Sequence, residues 1–283
     1  LSSVSPYKTS TIGAGMRFGL PINERDFVTL GLSYEQTSIS VDPYPPATPV
    51  ALLTRYQQFV GPSGERDDDT LRVDTAWARD TRNSYLFPTK GLFQRAAAEV
   101  GTPVGSLQYY KLSLQHQQFF PLGKNFTLML NAELGYGDGL GDIDSLPFFK
   151  NFYVGGTSTV RGFKNGTLGP KDVNGDALGG NQKVVGNAEL FFPLPGLKDD
   201  QSLRMSAFID AGASWGQGNI DSFTRVIDHR YENFAFDDLR YSAGVALLWV
   251  SPLGPLKFSL AQPLVSDTGD KKEVFQFTLG NVF

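Results

Sequence analysis

Apolar and polar residues alternate along this chain over stretches too long for an ordinary soluble strand. In LRMSAFIDAGASW, Leu203, Met205, Ala207, Ile209, Ala211, Ala213 and Trp215 fall on one side of an extended backbone, and Arg204, Ser206, Phe208, Asp210, Gly212 and Ser214 on the other. Successive side chains of a strand point to opposite faces, so a period of two marks a sheet with one greasy and one wettable surface. The same pattern sets Phe126, Leu128, Leu130, Ala132, Leu134 and Tyr136 against Thr127, Asn131 and Glu133. Near the start, Ile12, Ala14, Met16, Phe18 and Leu20 oppose Thr11, Arg17 and three glycines. In LRMSAFIDAGASW only Phe208 stands on the wrong side.

Carried along the chain, this reading predicts an all-β protein with about eleven strands, near 11–20, 27–40, 71–82, 91–102, 107–120, 126–138, 184–193, 203–216, 238–250, 255–264 and 274–283. Soluble strands usually hold about 5–6 residues, whereas a tilted membrane strand needs about 9–11. Strand length therefore points to a transmembrane antiparallel β-barrel and away from a soluble sandwich. Short turns (PINERD, PLGKN, PLPGLKDDQ, SPLGP) alternate with long connections at 42–70, 139–183 and 217–237, with the brief 103–106 link as an exception on the long side. Outer-membrane barrels show this asymmetry, with short periplasmic turns and longer external loops. Counting back from Phe283 on the short-turn side starts the first strand on the loop side, but bacterial barrels hold an even number of strands. The expectation is a further strand upstream, with residues 1–283 forming one partial, C-terminal barrel domain.

Composition removes several alternatives. No apolar run approaches the ~20 residues of a membrane helix, the best being GVALLWV at 244–250, which leaves spanning by strands open. A net charge of -4 lacks the basic footprint of a nucleic-acid binder. The absence of Cys excludes disulfides, iron–sulfur clusters and thiolate zinc sites. Charges opposite the apolar stripe, among them Arg17, Arg72, Asp74, Glu99, Glu189, Asp210 and Lys257, are of mixed sign. That balance predicts a hydrated interior crossed by ion pairs rather than an ion-selective pore.

Catalytic patterns are weak. His116 and His229 have no nucleophile motif nearby, and GAGMRFG at 13–19 lies on a strand where a dinucleotide fingerprint needs a helix. DVNGD at 172–176 opens like a calcium loop, but Ala177 replaces the turn glycine and Lys183 the bidentate Glu. The acids of GDGLGDID at 137–144 read as a solvated loop mouth. No metal, cofactor or enzymatic activity is expected.

One segment fits neither helix nor strand: NFYVGGTSTVRGFKNGTLGP, residues 151–170. With YGDGLG (136–141), LPFFKNFYVGGTSTVRGF (146–163), FIDAG (208–212), WVSPLGPLKFSLAQPL (249–264) and the ending FQFTLGNVF, it resembles the Omp85 family over essentially the whole chain, in order. The resemblance implies a sixteen-stranded barrel in the outer membrane of a Gram-negative bacterium, of which the first strands and the periplasmic POTRA domains have no counterpart here. It implies a sixth loop, residues 139–183, folded back into the lumen with Val160, Arg161, Gly162 and Phe163 at its tip. Arg161 would meet Phe208 and Asp210 on the inner wall, by cation–π contact and paired hydrogen bonds. Phe275, Phe277, Leu279 and Phe283, with Gly280 opposite leaving no bulk on the lumen side, look like the C-terminal β-signal of outer-membrane proteins. The implied role is to fold and insert other outer-membrane β-barrels at a seam between first and last strands. Implied partners are the lipid bilayer, nascent barrel proteins and, through the POTRA region, accessory lipoproteins. A secretion transporter or pore of the same superfamily, or a truncated chain stalled as an assembly substrate, are the alternatives.

Overall fold

The structure, a computed structural model, describes residues 7–49, 53–141, 143, 145–172, 175–194, 202–216, 219–220, 227–228, 233–252 and 254–280. In chain order its strands are β1 (Lys8–Pro21), β2 (Asp26–Ser40), β3 (Glu65–Asp80), β4 (Gly91–Gly101), β5 (Tyr109–Pro121), β6 (Thr127–Gly139), the two-residue β7 (Gly162–Phe163), β8 (Gln182–Pro193) and β9 (Leu203–Trp215). The two-residue β10 (Asn219–Ile220) and β11 (Ile227–Asp228) follow, then β12 (Arg240–Ser251), β13 (Gly254–Val265), the two-residue β14 (Lys272–Glu273) and β15 (Phe275–Leu279). The α-helix α1 (Arg55–Val60) interrupts the connection after β2.

The long strands and β15 form a single antiparallel sheet in the order β1-β2-β3-β4-β5-β6-β8-β9-β12-β13-β15, so each pairs with its neighbour in that series. Among the described residues nothing joins β1 to β15, and the sheet has two edges. Among the described residues no helix is long and apolar enough to cross a membrane.

The two faces separate as the alternation requires. Ile12, Met16, Leu114, Leu134, Ile209 and Leu260 all stay exposed on the outer face. So broad an apolar surface needs hydrocarbon, not water, against it. On the inner face, cross-strand register lines up Arg17, Gly31, Asp74, Glu99 and Lys111 in one row. Gly31 has no side chain, so Arg17 Nη2 reaches over it to Asp74 Oδ2 at 3.0 Å. Nearby, Arg72 pairs with Glu35 at 2.9 Å and Lys183 with Glu133 at 2.6 Å.

Several details differ from the sequence expectation. β3 starts at Glu65, six residues before the expected position. Its first residues, ERDDDT, are polar on both faces, so no alternation marks them. The preceding connection is correspondingly shorter and holds α1, capped by a reciprocal Thr54–Gln57 box. Ala213 and Trp215 continue the apolar stripe of β9 yet are fully buried. The 234–239 segment covers them, with Phe234 5.0 Å from the Trp215 ring and Asp238 Oδ2 accepting from its Nε1 at 2.9 Å. The inner face is not wholly wet either: Phe119, Met129, Phe191, Phe208, Ala246 and Leu248 pack there as a buried apolar floor.

The last strand departs most. It is expected over 274–283; among the described residues its ladder covers Phe275–Leu279, five residue pairs with β13 from Leu260–Phe275 to Leu256–Leu279. Gly280 adopts φ +102°, a conformation that favours glycine, and its N–H turns to Pro255 O at 2.9 Å. A Cβ at 280 would meet nothing within 4 Å, so the positive φ, rather than space on the lumen side, is what favours glycine there. Phe283 lies outside the described residues.

Candidate functional site

The connection between β6 and β8 lies against the inner face of the sheet. Isolated bridges, Phe152 with Gly180 and Val154 with Leu168, fold it on itself, and Thr159 Oγ1 accepts from the Gly155 N–H at 2.8 Å to close the turn before the tip. Val154, Val160, Phe163 and Leu168 pack with Val185 of β8, each almost or fully buried. Sockets on the wall receive this cluster: a Cβ at Gly212 would stand 3.0 Å from Val160 Cγ2.

Arg161 is 3% exposed. Its Nε donates to Asp210 Oδ2 at 2.7 Å, Nη2 to Asp210 Oδ1 at 2.8 Å, Nη1 to Glu189 Oε2 at 2.9 Å, and its own backbone N–H to Asp210 Oδ2 at 3.1 Å. The guanidinium carbon lies 3.3 Å from the centroid of the Phe208 ring. The anomalous Phe208 of the sequence thus faces inward beneath a cation. Gly244, its neighbour on β12, makes the room; a Cβ there would come 2.7 Å from the ring.

Strand register explains why these groups converge. Asn187 faces Asp210 and Glu189 faces Phe208 across β8 and β9, so four residues two apart on each strand share one inner patch. Asn187 Nδ2 donates to Asp210 Oδ1 at 2.9 Å. Glu189 accepts from the Ser206 hydroxyl and from Lys257 Nζ, the latter at 3.2 Å. Two cations, Arg161 and Lys257, balance two carboxylates, Asp210 and Glu189. Removing charge from water is tolerable only with such pairing and saturated hydrogen bonds. A cavity of about 290 Å³ adjoins the group, lined in part by Gln115, Asn131, Glu133 and Thr157.

The tip continues from the wall to the sheet's edge. Gly162 has φ +87°, and a Cβ there would lie 3.1 Å from Ala261 Cβ. Gly162 and Phe163, as β7, pair with Glu273 and Lys272 of β14. On β15, Phe275, Phe277 and Leu279 are exposed on the outer face, while Gln276 is buried on the inner one.

Sequence reasoning placed Val160, Arg161, Gly162, Phe163, Phe208 and Asp210 together, and the structure brings them together. It did not name Glu189 as a partner of the arginine or Lys257 as the second cation on Glu189, although both were visible as inward charges. Asn187, Ser206, Gly244 and Gln276 were missed altogether. His116 is exposed on the outer face with Gln94 Nε2 2.9 Å from its Nδ1, and His229 lies outside the described residues. Among the described residues, no group of three or more His, Cys, Asp or Glu is placed to hold a metal. Val173 and Asn174 of DVNGD, and Asp142 and Asp144 of GDGLGDID, fall outside them.

The Omp85 superfamily domain matches residues 2–283. The chain belongs to the Omp85 superfamily. The outer membrane protein assembly factor BamA of Neisseria meningitidis serogroup B is 39% identical to it over 297 residues, covering 100% of this chain and 37% of that protein. BamA of Nitratidesulfovibrio vulgaris is 29% identical over 300 residues, covering 98% of the chain and 32% of its own length. The crystal structure of BamA from Haemophilus ducreyi lacking POTRA domains 1-3 superposes with a TM-score of 0.81 at 26% identity, covering 96% of this chain and 54% of that one. The chain thus spans about a third of the length of these two curated relatives. Omp85 membership makes the exposed apolar face the surface that meets the hydrocarbon of an outer membrane, and the Arg161 patch an inner-wall site.

Proposed function

We propose that this chain serves as the membrane-embedded part of an outer-membrane protein assembly factor, folding and inserting other β-barrels by non-covalent templating at an open strand edge. The observation that carries this reading is the placement of the Arg161 tip, clamped to the inner wall beside the edge strand β15, whose described residues pair with β13 alone in the sheet. Backbone N–H and C=O groups in lipid must find partners, at several kcal/mol for each one left unmade. An edge such as that of β15 offers those partners to an incoming strand. The bilayer and nascent outer-membrane barrels are then its direct partners. Accessory lipoproteins would engage POTRA domains in a full-length protein carrying this chain.

Depleting that full-length protein in its Gram-negative host tests the reading. Loss of folded porin from the outer membrane, restored by a plasmid copy, is the expected result. Unchanged porin assembly, together with a large steady conductance of the purified protein in planar bilayers, would contradict it and favour a secretion pore.

A further inference from the structure

The edge strand and the loop-six tip share one side chain. Gln276 of β15 lies opposite Ser259 of β13 and is 4% exposed. Its Oε1 accepts from the Gly162 N–H at 3.1 Å, while Nε2 donates to Phe163 O at 2.8 Å and to Glu273 Oε2 at 3.2 Å. One carboxamide thus acts toward two successive main-chain groups as a strand neighbour would, offering an acceptor and a donor at once.

The segment just before β15 is divided between two partners. Val274 O still accepts from Ala261 N–H on β13 at 2.9 Å. Glu273 and Lys272 instead pair with Gly162 and Phe163, and Lys271 O accepts from the Lys164 N–H at 2.7 Å. The loop tip therefore holds the lead-in to the last strand.

We propose that Gln276 is a positioning residue that ties loop six to β15, so that docking of the Arg161 tip and placement of the sheet's edge form one equilibrium. The consequence for assembly rests on the function proposed above; the tie does not. Glutamine is required by the donor pattern. A carboxylate at 276 would set acceptor against acceptor at Phe163 O and Glu273, and an apolar side chain would leave buried Gly162 N–H and Phe163 O without these bonds.

The test uses a full-length protein carrying this chain with Lys164→Cys and Lys271→Cys as its only cysteines. Directly opposed strand residues are spaced for a disulfide. The pair should cross-link readily, and about tenfold more slowly once Gln276→Glu removes two donated bonds. Heat-modifiable mobility should remain, and forming the disulfide first should restore porin assembly to the Gln276→Glu protein. Gln276→Met, which keeps length without the amide, takes its place if Gln276→Glu does not reach the folded form. Cross-linking at the parental rate in the folded variant overturns the proposal, as does an assembly defect that the preformed disulfide leaves in place. Because cross-linking is scored without substrate, a slowed variant of a protein whose parent assembles nothing supports the tie and refutes only the assembly reading.

Discussion

Arg161 and Asp210 meet edge to edge, Nε to Oδ2 at 2.7 Å and Nη2 to Oδ1 at 2.8 Å, with the Asp210 side chain wholly out of solvent. Two parallel charge-assisted bonds fix orientation as well as distance. The pair joins residues 49 positions apart and sets where the loop tip stops on the wall.

Arg161→Ala should undock loop six. It leaves Asp210 buried without its cation and Glu189 with Lys257 alone, and breaking one partner of such a group costs roughly 3–5 kcal/mol. Trypsin should then cut at Lys164 and Lys171 at least tenfold faster. Asp210→Arg should act alike through repulsion. Parental cleavage rates in both variants would reject the pairing.

Phe208→Leu isolates the ring contact, because leucine keeps an apolar side chain on the buried floor. A desolvated cation–π contact contributes about 1–2 kcal/mol, so this variant should loosen the loop less than Asp210→Ala does. Cleavage rates in the opposite order would show that packing, not the carboxylate, holds the tip.

Gly162→Ala tests the backbone. At φ +87°, with Ala261 close by, a methyl group should cost about 1–3 kcal/mol and raise hydrogen exchange across 160–164. Unaltered exchange would show that the tip tolerates another conformation.

The long strands were legible because lipid on one side and a polar interior on the other impose a two-residue period wherever the sheet crosses the membrane. Beyond that belt the contrast ends, so the polar start of β3 passed for loop. Phe208 was a readable anomaly: a lone aromatic residue on a wettable face asks for a partner. Glu189 could be placed on a face but not beside Arg161, since that needs cross-strand register. Gln276 left no trace, because a neutral side chain bonded to main chain depends on the path of a loop distant in sequence.

Acid should loosen the clasp between loop six and the 266–274 connection. Burial alone would raise the Asp270 carboxyl, but the Asp267 N–H at 2.7 Å, Lys171 at 2.9 Å and Arg240 at 2.7 Å together hold it below the ordinary carboxylate range. A carboxylate lowered by folding contributes stability that is complete above its unfolded value near 3.9 and lost as pH falls through the lower folded one. Amide protection across 267–271, corrected for intrinsic exchange, should hold steady from neutral pH to about 5 and drop below about 4. Asp270→Asn should flatten that acid limb, and protection that rises on acidification would contradict the account.

The most direct test of the two-faced sheet is fluorescence quenching of single-cysteine labels at neighbouring positions in a membrane-reconstituted full-length protein. Leu114 is exposed on the outer face, and Gln115 shares the inner one with Asn131, to whose Oδ1 its Nε2 donates at 3.2 Å. A label at 114 should be quenched by brominated lipid and spared by iodide, and a label at 115 should show the reverse. Equal iodide quenching at both positions, or shielding of Leu114 from lipid as between two stacked sheets, would contradict a membrane-spanning wall.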